Sequence, residues 1–271
     1  MIKSVFMKNK TKGCIAVFFA MQLFNSVSFV YFLIAWLLHK ATLTQVVMCI
    51  ASVLFVCLPD IAQKLFRFRM ASPVYIFCLI YAVCPMLGHT YGFYYFIPFW
   101  DKLLHLTGGV VFALFGAYLP KAFLKDEKVS YKLCAFSGVL FSVAVACVWE
   151  FVEFGLDSLF LTDMQKDSVI TQIHSYKLGD ILGGELGEIL RVENVQTVIN
   201  GEYYIDGYID VGRMDTMYDL LIETAGAVVF CIAYAVDKGK HLAFHLLPKE
   251  EILPIRVEEP QLEVAVSDTE K

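Results

Sequence analysis

The sequence predicts an all-α polytopic membrane protein: six transmembrane helices, with a small outer-face β-hairpin insertion between helices five and six. Three observations predict it. Of the 271 residues, 58% are hydrophobic and only 18% charged, outside the range of ordinary soluble domains. The apolar residues come in runs of about twenty, long enough to cross a hydrocarbon core of about 30 Å. Between the fifth and sixth runs, β-rich segments flank Asn200-Gly201, a strong hairpin turn signal.

The first run is Cys14–Leu38. Lys3, Lys8, Lys10 and Lys12 precede it, as basic residues precede a secretory signal. It is too long for one and lacks a small-x-small cleavage site, so it reads as an uncleaved span. Ala41–Pro59 and Pro73–Leu87 follow, the latter the shortest run. After it, "GHTYGFYYFIPFW" reads as an interfacial segment, because Tyr and Trp combine an apolar ring with a polar tip. Leu103–Leu119, Leu133–Phe154 and Thr216–Val236 complete the six. Residues 1–236 therefore form one transmembrane domain, with 168–212 as an extracytoplasmic insertion within it.

In that insertion, "LGDILGGELGEIL" reads as turns or a short helix, and "VQTVINGEYYIDGYIDV" as the hairpin. Residues 237–271 form an acidic tail with Pro254 and Pro260, expected to be disordered in the cytoplasm. His241 and His245 in it are four apart and read as incidental rather than as ligands.

Charge decides orientation. The net charge of −5 is segregated by loop. With six crossings, the N-terminus, residues 60–72, residues 120–132 and the tail hold sixteen Lys and Arg; the other side holds six, Lys40, Lys102, Lys166, Lys177, Arg191 and Arg213. The positive-inside rule then puts both termini in the cytoplasm, in a multi-pass protein of the plasma membrane. All eight cysteines fall within apolar runs, where they read as small hydrophobes in helix packing; no disulfide framework or CxxC metal site is indicated. The absence of a basic surface domain gives nucleic-acid binding no support.

Ionisable residues within spans are costly, and each is a functional candidate. The fourth span opens with "WDKLLHLTGG": Asp101 and His105 share a helical face, which Gly109 and Gly116 continue as a place for close helix approach. In the fifth, Ser142, Ala146, Glu150, Glu153 and Asp157 form one stripe, small at depth and acidic towards the outside. The sixth opens with Asp215, Asp219 and Glu223 as a third stripe. The basic-residue count places all three at the outer ends of their spans, which suggests one shared site. Carboxylates crowded at low dielectric must be protonated, paired or bound to a cation.

Oxygen-rich ligation with one imidazole suits a hard or borderline divalent metal ion. The candidate ligands are Asp101, His105, Glu150, Asp215 and Asp219; the candidate catalytic residues are His105, Glu150, Glu153 and Asp219, with Glu150 or Glu153 as general base. A blander reading stands beside this. Asp101, Asp157 and Asp215 can simply mark helix ends in headgroup water, Asp101 and Asp215 at favourable N-termini. Glu223, deepest in its span, is most simply paired with His105 or Lys102.

"WDKLLHLTGG", "WEFVEFGLDSLFLTDMQKD" and "GYIDVGRMDTMYDLLIETAGA" together resemble the YjdF-type bacterial inner-membrane proteins, distant relatives of the VanZ-like proteins. The matching positions are Asp101 and His105; Trp149, Glu150 and Glu153; Gln165 and Asp167; and Asp215, Asp219, Gly226 and Ala227. The resemblance covers about residues 98–236. Segment 168–212 separates motifs that are nearly adjacent in YjdF-type members, and Glu223 stands where the VanZ-like pattern has Asn. VanZ-like proteins are associated with glycopeptide resistance at the cell surface, so the resemblance implies the cell envelope and no defined reaction. Two functions are expected to compete: metal-assisted processing of a membrane lipid or lipid-linked envelope precursor, and a non-catalytic transporter or envelope-binding protein using the same acids for protons, cations or a cationic ligand.

Overall fold

The structure is a computed structural model and describes residues 10–65, 70–124, 129–181, 183 and 187–240. The expectations for the tail beyond residue 240, with His241 and His245, lie outside the described residues. Among the described residues, six helices are long and apolar enough to cross a membrane: Lys12–Leu37, Leu43–Leu65, Ser72–Thr90, Trp100–Leu124, Tyr131–Phe160 and Arg213–Val236. The protein is a multi-pass membrane protein.

Span one is α1 (Lys12–Leu37), capped by Thr11, whose hydroxyl accepts from the Cys14 N–H at 3.3 Å. Span two is broken into α2 (Leu43–Phe55) and α3 (Leu58–Leu65), and span three into α4 (Ser72–Tyr81) and α5 (Cys84–Thr90). Both breaks have the same cause. Pro59 and Pro85 lie four residues after Phe55 and Tyr81, the last residues of α2 and α4, and a proline ring clashes with the carbonyl four residues back. The second span continues six residues past Pro59, where the apolar run ends. Charge stops the hydropathy signal there without stopping the helix. A capping box of Thr42 and Gln45 starts α2. The aromatic segment after α5 contains one short helix, α6 (Phe93–Phe96), with Tyr95 and Phe96 strongly exposed. Then come α7 (Trp100–Leu124) and α8 (Tyr131–Phe160).

The chain divides into two compact units, Met1–Pro98 with Leu119–Tyr131 and Tyr234–Lys271, and Phe99–Tyr118 with Lys132–Ala233. In the first unit α1, α2, α4 and α5 pack together around Cys49, Val56, Tyr75, Leu79 and Met86. Polar side chains tie helix to helix, since lipid offers them no partner. Ser52 donates to Asn25 Oδ1 at 3.2 Å, Gln45 donates to the Thr90 carbonyl at 3.1 Å, and Ser28 and Tyr91 share a hydrogen bond of 2.8 Å. At one end Lys10 pairs with Asp60 and lies 3.6 Å from the centre of the Tyr75 ring, while the Tyr75 hydroxyl donates to Asp60 Oδ2 at 2.9 Å. Burial holds the Lys10 ammonium below its usual range, against the pull of Asp60.

The second unit is built on α7, α8 and α10 (Arg213–Val236). Their buried faces carry most of the small and polar residues, with a few large ones such as Leu114, Phe230 and Tyr234, and large apolar residues dominate their exposed faces. On α8, Cys134, Gly138, Ser142, Ala146, Glu150 and Glu153 are buried, while Phe136, Leu140, Val148, Phe151 and Phe154 are exposed. Glycines set the crossings. Gly109 of α7 lies against the backbone of Glu223 and Ala227, Gly226 of α10 lies against the Leu106 carbonyl, and Gly116 lies against Ser137, Gly138 and Phe141 of α8.

The insertion holds more structure than one hairpin. It contains β1 (Ser168–Ile170), β2 (Gln172–Ser175), α9 (Tyr176–Ile181), β3 (Leu190–Glu193), β4 (Thr197–Ile199), β5 (Tyr203–Ile205) and β6 (Tyr208–Asp210). The strands form three antiparallel pairs, β1–β6, β2–β3 and β4–β5. In β4–β5, Ile199 pairs with Tyr203, so three residues make the turn rather than two. Asn200 and Gly201 both take positive φ, 55° and 76°, which Asn and Gly tolerate best. The outermost pair matters most for the site. Ser168 lies opposite Asp210, so the insertion returns the chain to where it left.

Candidate functional site

The three acidic stripes meet in the second unit. Asp101 and Asp215 lie in the first turns of α7 and α10, and both are buried, as are His105, Glu150, Glu153, Asp219 and Glu223. The centre is His105. Its Nδ1 is 3.3 Å from Glu223 Oε2, and its Nε2 is 3.7 Å from Asp219 Oδ2 and 3.9 Å from Asp101 Oδ1. One donor atom each from Asp101, His105 and Asp219 fall within 4.8 Å of one another, a group able to hold a metal ion.

Two lysines enter from the side. Lys102 Nζ is 2.6 Å from Asp219 Oδ1, 2.7 Å from Asp215 Oδ1 and 3.3 Å from Asp101 Oδ2. Lys166 Nζ is 2.8 Å from Asp101 Oδ2, and its backbone N–H donates to Asp215 Oδ2 at 2.9 Å. Each central aspartate thus gives one oxygen to lysine and turns the other towards the imidazole.

Lys166 reaches the site because residues 161–166 are fastened at both ends. The Asp157 carboxylate, at the end of α8, accepts from the Thr162 hydroxyl at 2.6 Å, the Met164 N–H at 2.7 Å and the Gln165 N–H at 2.9 Å. The Gln165 amide then donates to Glu150 Oε2 at 3.4 Å and to the Thr216 hydroxyl. On the other side, β1 pairs with β6, and Asp210 at the end of β6 accepts from the Met214 N–H at 2.7 Å, steadying the start of α10. Gly212 stands between them at φ 73°, and a Cβ there would come within 2.6 Å of Gln165 Cβ. In the same loop Asp163 titrates above the ordinary carboxylate range, through partial burial and then the negative charges of Asp167, Asp157 and Asp215.

The sequence-predicted residues are placed as follows. Asp101, His105 and Asp219 come together. Asp215 is held by Lys102 and the Lys166 N–H, outside that group. Glu150 is tied through Oε2 to Gln165, while its Oε1 is buried with no partner among the described residues. Glu153 is buried one turn beyond on the same face. Glu223 pairs with His105 and also accepts from Ser142 at 3.4 Å. Asp157 organises the loop rather than facing the imidazole.

Sequence reasoning gave Lys166 no role beyond a topology count, and Thr216 and Asp210 none at all. A signal for Lys166 existed: it lies between Gln165 and Asp167, two positions the family resemblance singles out. Lys102 was considered as a partner for Glu223 and instead serves Asp215, Asp219 and Asp101.

The chain belongs to the family described as "Predicted membrane protein (DUF2238)", which matches residues 19–239. The match takes in all three acidic stripes and the insertion, and it fits a membrane protein of the YjdF type. No curated protein and no solved structure matches the chain.

Proposed function

We propose that this membrane protein holds a divalent metal ion on Asp101, His105 and Asp219 and uses it to process a membrane lipid or lipid-linked cell-envelope precursor at the outer face of the plasma membrane. The observation that carries the reading is the placing of His105 Nε2 between Asp219 Oδ2 and Asp101 Oδ1. The distances to Asp219 Oδ2 and Asp101 Oδ1, 3.7 and 3.9 Å, are too long for hydrogen bonds and suit donors sharing an ion. Glu223 at Nδ1 supports the same reading. A carboxylate there takes the Nδ1–H and leaves the Nε2 lone pair for a metal. Two carboxylate oxygens and one imidazole favour a hard or borderline ion.

Such an ion would polarise a phosphoryl or acyl group, and the unpartnered oxygen of Glu150 suits a general base, with Glu153 behind it. Metal analysis of the purified protein tests the reading. Wild type is expected to carry about one divalent ion per chain, His105→Ala and Asp219→Asn to lose it, and Glu150→Gln to keep it while losing function. A folded His105→Ala variant with unchanged metal content would sink the proposal.

A second reading has its own observation. Lys102 and Lys166 already pair with Asp101, Asp215 and Asp219 at 2.6–2.8 Å, as in a non-catalytic protein that moves protons or cations, or binds envelope components for resistance. Flux abolished by Glu150→Gln in protein without metal would select this reading.

A further inference from the structure

We infer that the ligand of this site is a phosphoryl anion, a phosphate mono- or diester, docking on Lys102 and Lys166. The inference builds on the metal reading above, because six carboxylates around two lysines would repel an anion unless a divalent ion, or failing that protons, offset them.

The charges are layered by depth. The side chain of Asp219 is 1% exposed and that of Asp101 11%, whereas Lys102 is 32% and Lys166 38% exposed. Anything entering from the accessible side meets ammonium groups before carboxylates. Both ammonium nitrogens touch the same atom, Asp101 Oδ2, at 3.3 and 2.8 Å, so they lie no more than about 6 Å apart. That span fits one tetrahedral phosphate bridging two ammonium groups. Asp101 Oδ2 holds this position in the structure, and a phosphate oxygen would take its place between the two ammonium groups.

The surroundings agree. Two long helices, α7 and α10, begin here, and the positive ends of their dipoles favour negative charge. Glu150 Oε1, in a residue only 3% exposed, has no partner among the described residues. An acceptor left bare beside an anion site is where a hydroxyl or water attacking phosphorus would be held. Phosphate esters are also the charged groups a bilayer presents at the depth of helix ends.

The test uses the full chain in detergent, with Mn2+ uptake read by electron paramagnetic resonance. Binding of phosphatidic acid, phosphatidylglycerol, diacylglycerol and inorganic phosphate is measured with and without Mn2+. With Mn2+, the phospholipids are expected to bind at least tenfold tighter than diacylglycerol. Lys166→Met should remove that preference with Mn2+ uptake intact, and Lys166→Arg should restore most of it. Equal binding of inorganic phosphate would name free phosphate as the source, and binding of the lipids alone would name the headgroup. Diacylglycerol binding as well as the phospholipids, or unchanged phospholipid binding in Lys166→Met, overturns the inference while the metal reading stands. A protein that takes up no Mn2+ removes the metal reading; Lys166-dependent phosphoryl binding in it would keep the docking inference, and its absence would remove both.

Discussion

Gly109→Ala tests whether the contact between α7 and α10 sets the geometry around His105. A methyl at Gly109 would fall 2.1 Å from the Glu223 carbonyl oxygen and 3.0 Å from the Ala227 nitrogen. Both are helix backbone, so neither can rotate away. Restoring ordinary contact needs α10 to retreat by about 1 Å. The His105–Glu223 bond of 3.3 Å and the His105–Asp219 separation of 3.7 Å cross the same helix pair. A retreat of that size takes the first beyond hydrogen-bonding range, while Lys102, on a flexible stem, can follow its aspartates. Overpacking costs about 1–3 kcal/mol, and a buried Glu223 stripped of its imidazole costs about 1–3 kcal/mol more. The expected loss is therefore about 2–6 kcal/mol in total. Thermal unfolding in detergent, followed with a thiol-reactive dye on the buried cysteines, reads it. Gly155→Ala is the control, since a Cβ there meets nothing within 4 Å, and it should be neutral or slightly stabilising. Should Gly109→Ala melt with Gly155→Ala and keep its metal content, the glycine contact does not set the site.

Asp157→Asn should loosen residues 161–166 without disturbing the spans, because an amide cannot accept all three hydrogen bonds the carboxylate takes; the cost is about 1–3 kcal/mol, and faster hydrogen exchange at the Met164 and Gln165 amides checks it. Asp163→Asn should stabilise the protein at neutral pH. The folded-state pKa of Asp163 is raised, so its contribution is lost as pH rises through that value, and the variant's advantage should appear across the same rise and vanish in acid. The site is largely exposed, so the gain is at most about 0.5 kcal/mol; an advantage that grew on acidification would contradict the assigned direction.

The spans and the acidic faces were legible because lipid makes a strict reader. Ser142, Ala146, Glu150 and Glu153 recur at helical spacing in a helix otherwise made of large apolar residues, and only a buried face explains that pattern. The breaks at Pro59 and Pro85 were legible in principle, since a proline four residues beyond a helical position removes that position's hydrogen bond. Run length alone passes over them. The insertion was read only in part for a different reason. Asn200-Gly201 marks a local turn, whereas β1 and β6 are three residues each, too short for a period of two to stand out in the sequence, and pair across some forty residues of chain. Nothing local in Ser168–Ile170 says that Asp210 will lie beside it.

The lysines were misjudged because counting basic residues treats each one as a marker of membrane side. Lys102 and Lys166 both fall in the minority set, and only Lys102 has a further place in the sequence reading, as a possible partner of Glu223. Their role follows from the carboxylates. Asp101, Glu150, Glu153, Asp215, Asp219 and Glu223 are all buried, and a buried charge needs a partner. The helical stripes supply one imidazole on the face of the acids, His105, and one ammonium beside it, Lys102. A further charge has to come from outside the spans, and the loop fastened by Asp157 and the β1–β6 pair delivers Lys166. Two ammonium groups and one imidazole still fall short of six carboxylates, with Glu150 and Glu153 having neither a lysine nor a histidine in contact among the described residues. Protons or a bound cation must make up the difference, and the two functional readings differ in which of these does so.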